Sequence, residues 1–172
     1  MKQLPRAAWL VIVIADAGLL AWGVMAALAP EHLLGPGFAP ILTAGYESFT
    51  KSSWSELTGT SPMTTAFMTV LFRVYGAYVV AFGLLAVAVA ATAFRRGERW
   101  AWWALLVGNT IAFGSAMTYD WAVSAIGLFE LTEYLGLALI WGALALTARF
   151  RAAGRPVPSP LCEDRPTSSP TP

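Results

Sequence analysis

The sequence has few charged residues, one cysteine and one histidine, and each shortage excludes a class of protein. Charged residues make up 12% of the 172 residues, whereas soluble globular domains contain about 25%. The single cysteine, Cys162, excludes an internal disulfide framework and a metal cage built from cysteines. The single histidine excludes HExxH and every other site that needs two imidazoles. The sequence therefore predicts no metal ion.

Nucleic acid and common cofactors are excluded by motifs that are missing. The chain has 11 Lys and Arg against 10 Asp and Glu, a formal net charge of +1. It contains no basic stripe with interleaved aromatic residues that could neutralise phosphates. It also lacks a phosphate loop, a dinucleotide fingerprint and a pair of histidines for haem. We therefore expect no nucleic acid partner and no cofactor, and the sequence names no reaction.

Hydrophobic residues, in contrast, make up 57% of the chain and are gathered in long stretches. A spanning helix needs about 20 mostly apolar residues, and hydrocarbon forces such a stretch to satisfy its own backbone as a helix. The sequence therefore predicts an all-α protein, a four-helix transmembrane bundle in a membrane domain of residues 1–149. The predicted spans are residues 7–29, 64–94, 100–119 and 121–148.

The distribution of Lys and Arg predicts the orientation. Nine of the 11 basic residues precede the first span, lie between the second and third spans, or follow the fourth. The positive-inside rule therefore places both termini in the cytoplasm. A rival interpretation treats residues 1–29 as a cleaved signal peptide with a small-x-small site at Ala27 to Ala29. That apolar stretch exceeds the roughly 7 to 15 residues of a signal core, and Pro30 follows the supposed cleavage site.

Two segments lie outside the spans. Residues 30–62 are predicted to form an extracytoplasmic cap, with a short helix at Ile41 to Phe49 and a capping box at Ser53 to Glu56. A simple interfacial loop is the alternative for this segment. Residues 150–172 are rich in proline and polar residues and predict a disordered cytoplasmic tail.

Charged residues inside spans are expensive and are therefore candidates for function. Asp16, Glu130 and Glu133 are the candidate catalytic residues. Glu130 and Glu133 are three positions apart and so share a helix face. The three acids face one basic residue, Arg73, so at least one acid is expected to be neutralised by a proton or a nearby cation.

A polar pocket that opens toward the outer leaflet is the expected arrangement. In this interpretation Arg73 pairs with Glu130 or Glu133, and Asp16 points into the same interior as Asn109. The structural alternative is that the charges only hold helices together and that Asn109 only makes a hydrogen bond between helices. The candidate pocket residues are Arg73, Asn109, Tyr134 and Tyr75.

Small residues predict where helices approach each other closely. On the second span Gly76 and Gly83 share a face, together with Arg73. On the third span Gly108, Ala112 and Ala116 repeat every four residues beside Asn109.

Three runs of the sequence resemble a known family. Residues 72–78 (FRVYGAY), 81–84 (AFGL) and 95–102 (RRGERWAW) are similar to the second and third helices of small four-helix bacterial membrane proteins of the DoxX-like kind. The resemblance implies a compact bundle in the bacterial cytoplasmic membrane. It implies no catalytic residue, since most such proteins have no assigned reaction.

Two function classes follow. The first is a non-enzymatic bundle whose pocket binds a lipid-like ligand or a partner subunit. The alternative is a membrane enzyme acting on a lipid or isoprenoid, with Glu130 and Glu133 as acid and base. Membrane lipids are expected partners in both cases, with a homo-oligomer or a partner membrane subunit as further possibilities. A proton-coupled carrier would require a homo-oligomer.

Overall fold

The structure is a computed structural model, and it describes residues 6–30, 33, 41–124 and 127–153. Within this part of the chain every regular element is a helix, which confirms the all-α class. The predicted disordered tail, residues 150–172, begins too early, because the last helix continues through Ala153; residues 154–172 lie outside the described residues. The helices are α1 (Arg6–Leu28), α2 (Ile41–Thr50), α3 (Trp54–Thr60), α4 (Pro62–Val89, continued by a π-helical turn at Ala90–Phe94), α5 (Arg99–Val123) and α6 (Leu128–Ala153).

Three helical segments are long and apolar enough to cross a membrane: Ala7–Leu28, Pro62–Phe94 and Glu130–Ala148. They correspond to the first, second and fourth predicted spans. The third predicted span, residues 100–119, is not among them, although it lies within the 25-residue helix α5. Its glycines and its Asn109, Ser115 and Thr118 make this stretch less apolar than the other three. The helices are therefore compatible with a membrane protein, and the third predicted span stays a prediction.

The turn between α5 and α6 lies further along the chain than predicted. The sequence places a break at Asp120, between the third and fourth spans, but α5 continues through Val123. It ends where Ser124 takes the left-handed conformation, with φ 54°, and its N–H donates to Trp121 O at 3.3 Å. The predicted break is therefore wrong, and Asp120 belongs to a helix instead of a loop.

Close approach at glycines holds α1 against α4. A Cβ added to Gly76 would clash with the backbone of Ala26 and Ala27, and one added to Gly83 would lie 2.9 Å from Leu20 Cβ. The residue numbers rise along one helix as they fall along the other, so the pair is antiparallel. The predicted close approach at Gly76 and Gly83 is confirmed, with α1 as the helix that fits there.

The arginine-rich link after α4 lies at the same end of the molecule as the start of α1. The Arg95 guanidinium sits 5.2 Å from the centre of the Trp9 ring, a cation–π contact. Arg96 pairs with Glu98 at 2.9 Å, and Gly97 makes the reversal with φ 82°. The basic residues of this link therefore gather at one end of the antiparallel pair.

Indole hydrogen bonds connect α5 to α6, which also run antiparallel. Trp102 Nε1 donates to Leu144 O at 2.9 Å, and Trp141 Nε1 donates to Thr110 Oγ1 at 3.0 Å. The helix α6 packs on α1 as well, while α4 makes no comparable contact with α6 among the described residues. In this arrangement α1 packs on both α4 and α6.

The short helices α2 and α3 lie at the opposite end, and the predicted helix starting at Ile41 is confirmed. Glu56 N donates to Ser53 Oγ at 3.1 Å, so Ser53 caps α3 as its capping-box sequence indicates. Trp54 N donates to Glu47 Oε1 at 2.9 Å, which joins α3 to α2. Ser48 Oγ donates to Ser124 O at 3.2 Å and attaches α2 to the end of α5.

Candidate functional site

A cleft of about 420 Å³ lies among α1, α4, α5 and α6. This volume falls within the range of small-molecule sites, about 300–1,000 Å³. Most of its wall is apolar, and one carboxylate, from Glu133, reaches it. Five aromatic side chains line the cleft: Trp22, Tyr75, Tyr78, Phe82 and Phe113.

The cleft opens sideways, between helices. Ile14 and Tyr78 both line it, yet they are 69% and 73% exposed. Their exposure indicates a wide mouth on the outer surface of the helices. The helix α4 contacts α5 far less than it contacts α1, which leaves room for this mouth between α4 and α5. A ligand could therefore enter from the side, along the apolar surface of the bundle.

The two ends of the cleft differ in polarity. Glu133, Trp22 and Tyr75 line the end nearer to the short helices, and Trp22 meets Tyr75 edge to face with ring centres 5.6 Å apart. Ile14 and Phe82 line the end nearer to the arginine-rich link. Residues 14 and 22 are separated by roughly 12 Å at helical rise. The cleft therefore has the shape and polarity of a site for an elongated amphiphile.

Glu133 is placed where a ligand could meet it. Its Oε2 is buried, and no donor among the described residues binds it. Asp120 and Glu130 lie close enough to act on its charge. Across the described residues, no three Asp, Glu, His or Cys side chains are arranged to hold a metal ion. The buried, unpaired polar groups at the wall of the cleft, among the described residues, are therefore the Glu133 carboxylate and the Trp22 Nε1 N–H.

Glu130 has a structural partner. The N–H of Gly127 donates to Glu130 Oε2 at 2.7 Å, and Gly127 O accepts from Leu131 N at 3.3 Å. Glu130 therefore occupies the third position of the helix and reaches back to the residue before it, as in a capping box. Glu130 does not line the cleft, so the structure brings the two glutamates near each other without placing both at one reaction site.

The predicted ion pair of Arg73 with Glu130 or Glu133 is wrong. Arg73 is exposed and lies more than 4 Å from both carboxylates in the described structure. The register of the α1–α4 pair explains this, since Gly76 already lies beside Ala26 and Ala27. Arg73 is therefore level with the end of α1 at Leu28 and on the far side of α1 from α6.

Asp16 and Asn109 meet in the interior, as the sequence predicts. Both side chains are 0% exposed, and the Asn109 side chain faces the Asp16 carboxylate. Neither side chain completes a hydrogen bond of normal geometry with another described residue. The pair joins α1 to α5 behind the cleft, and neither residue lines it. This position favours the structural interpretation, a polar contact between helices.

Only one of the two candidate tyrosines lies at the cleft. Tyr75 lines the cleft, and Tyr134 does not. The small residues Ala112 and Ala116 of α5 also line it, so part of the predicted packing face borders open space. Gly108 does make a close contact, since an added Cβ would lie 3.1 Å from Phe82 Cε2.

Sequence reasoning missed Asp120, which does not line the cleft but lies close enough to Glu133 to act on its charge. Asp120 is 7% exposed, and no described residue donates to its Oδ2. It lies just beyond the end of the predicted third span, where burial, and secondarily Glu130, raise the pKa of its carboxyl. Once α5 is known to continue past residue 120, the spacing of Asp120 and Glu130 around a short turn would bring both acids together.

A second, smaller cavity of about 310 Å³ lies under the short helices. Its wall is made by aromatic residues of α2, α3, α4 and α5, among them Tyr46, Trp54, Phe72 and Tyr119. Tyr46 and Trp54 pack edge to face at 5.5 Å. No free carboxylate lines this cavity, so it fits the packing of the short helices better than a polar ligand.

No family model matches this chain, and neither does any curated protein or solved structure compared with it. The resemblance to the DoxX-like kind therefore stays a prediction.

Proposed function

We propose that this protein is a non-enzymatic integral membrane protein that binds a lipid-like ligand in the cleft. In this proposal α1, α4, α5 and α6 span the bacterial cytoplasmic membrane as a four-helix bundle. The helices α2 and α3 form a cap on the extracytoplasmic side, and both termini are cytoplasmic.

The observation that carries the proposal is the lateral cleft itself. Its wall combines five aromatic rings with one carboxylate that has no donor among the described residues. An apolar pocket with a few fixed polar groups is typical of small-molecule sites. Its exposed mouth residues, Ile14 and Tyr78, would face acyl chains in a bilayer, from which an amphiphile can enter without crossing water.

The proposed orientation is supported by the position of the basic link. Arg95 lies against Trp9, so this link and the start of α1 share one end. The positive-inside rule places such an end in the cytoplasm. Glu133 and the short helices lie toward the other end, which puts the polar part of the cleft in the outer leaflet.

The enzyme alternative receives less support. General acid–base catalysis needs both groups within reach of one substrate. Glu130 accepts a hydrogen bond from Gly127 and does not line the cleft. A Glu130/Glu133 pair would therefore need Glu130 to give up its capping role in every cycle.

The test compares two glycine substitutions. Gly18 lines the cleft with nothing within 4 Å of an added Cβ, and Gly142 has equally open space outside it. We expect Gly18→Leu to fill the cleft and Gly142→Leu to leave it unchanged. Native mass spectrometry of protein extracted with its own lipids measures the bound ligand. The proposal requires a retained lipid-like species in the wild type and in Gly142→Leu and its loss in Gly18→Leu. An empty wild-type protein, or equal retention in both variants, contradicts it.

A further inference from the structure

We propose that the ligand of the cleft is a cationic amphiphile, one apolar chain carrying a single ammonium group that is held between Glu133 and the surrounding aromatic rings. This inference rests on the proposed function and names the chemical class of its ligand.

The charge balance around the polar end of the cleft supports a cationic ligand. Asp120 and Glu130 both lie close enough to act on the charge of Glu133. Arg73, the basic residue expected to balance them, forms no ion pair with either glutamate in the described structure. Two of the acids are nine-tenths buried, Asp120 at 7% and Glu130 at 8% exposed. Buried acids gathered without a basic partner attract a cation in surroundings of low dielectric.

The free atoms at this end match an ammonium group as well. Glu133 Oε2 is buried without a donor among the described residues, and so is Asp120 Oδ2, which adds charge nearby although Asp120 does not line the cleft. Carboxylate oxygens accept hydrogen bonds or bind a positive charge. A phosphate or carboxylate headgroup would meet the repulsion of three acids, so an anionic ligand is disfavoured by the same arrangement.

Aromatic faces supply the second half of the site. Trp22 and Tyr75 line the same end as Glu133, with their ring centres 5.6 Å apart, and Tyr78 borders the mouth. Rings grouped around a cation bind it through their quadrupoles, and quaternary ammonium groups are recognised in this way. Phe82 and Ile14 continue the wall toward the other end and would contact the apolar chain.

The experiment measures binding of dodecyltrimethylammonium to the protein in phosphatidylcholine nanodiscs, in alkaline buffer, corrected for partition into empty nanodiscs. The uncharged probe is the matching hydrocarbon in which a carbon atom replaces the ammonium nitrogen. We expect the wild type to bind the ammonium probe at least tenfold more tightly than the uncharged one. Glu133→Gln should abolish this difference. Glu56→Gln, which removes one negative charge outside the cleft, should keep it.

The outcomes separate this inference from the proposed function. Equal binding of both probes to the wild type, blocked by Gly18→Leu, would keep the cleft as a lipid site and overturn the cationic ligand. Charge selectivity that survives in Glu133→Gln would also overturn it. Binding of neither probe, together with equal lipid retention in Gly18→Leu and Gly142→Leu, would remove both proposals. Folding of each variant is checked by its thermal unfolding in the same nanodiscs.

Discussion

Adding one methyl group at Gly76 should force α1 away from α4. A Cβ at this position would lie 2.7 Å from the backbone carbon of Ala26 and 2.8 Å from Gly23 O, and closer still to Ala27 N. All three are backbone atoms, so no side-chain rotation can relieve the overlap. Gly76→Ala therefore requires the two helices to move apart.

The required movement sets the size of the effect. Ordinary contact of a Cβ begins at 3.4 Å, so relieving the closest overlap, with Ala27 N, requires the backbones to separate by about 1 Å. A gap of about 0.5–1 Å loses a quarter to a half of each dispersion contact along a seam. Overpacking of this kind costs about 1–3 kcal/mol. We expect Gly76→Ala to lower the free energy of unfolding by that amount, despite the better helix propensity of alanine.

The assay is reversible unfolding in mixed micelles, with Gly142→Ala as the matched control. Gly142 also lies within a helix, but nothing lies within 4 Å of an added Cβ there. The control should therefore be unchanged or gain up to about 1 kcal/mol. Equal stability of Gly76→Ala and Gly142→Ala would refute the close approach of α1 and α4.

Three further substitutions test the assignments of individual charges. Glu130→Ala should lower the free energy of unfolding by about 0.5–2 kcal/mol because the Gly127 N–H loses its acceptor, while Glu130→Gln should lose less; equal values would contradict the cap. Arg73→Ala should change stability by less than about 0.5 kcal/mol, and a larger loss would indicate a buried partner. Folding raises the pKa of the Asp120 carboxyl above its ordinary value of 3.8. Proton binding therefore contributes fully to the stability of the folded state below pH 3.8, and this contribution is lost as the pH rises through the pKa of the folded state. Asp120→Asn should therefore be more stable than the wild type at neutral pH, with the difference vanishing in acid, as pH-dependent unfolding would measure.

The helices could be predicted from the sequence because their signals are local. Long apolar stretches, the Ser53 cap and the proline at residue 62 fix the elements and several of their ends. The end of α5 could not be placed, since Tyr119, Asp120 and Trp121 have the composition of an interfacial turn. Only the left-handed conformation at Ser124 shows where the chain reverses.

The site could be predicted only in part, because helix order around the bundle is not a local property. Spacing correctly placed Gly76 and Gly83 on one helix face, and the cost of polar groups inside spans correctly placed Asp16 and Asn109 in the same interior. It could not show that α4 would pack mainly on α1, or that Arg73 would be exposed and without an ion pair to either glutamate in the described structure. Trp22 was missed for the same reason, since nothing distinguishes it from the other seven tryptophans until the helices are assembled.

The glycine contacts and the cleft are connected through α1. Gly23, Gly76 and Gly83 let α1 lie close to α4, and α1 also packs on α6. The contacts of α4 with α5 are few, and the cleft opens on the side where these two helices face each other. A larger residue in the contact would move α1 away from Val79 and Phe82 of α4, which line the cleft together with residues of α1, and would therefore change the width of the cleft. Gly76→Ala should therefore reduce ligand retention as well as stability, whereas Gly142→Ala should reduce neither; a destabilised Gly76→Ala variant with full ligand retention would separate the cleft from the helix contact that we hold responsible for it.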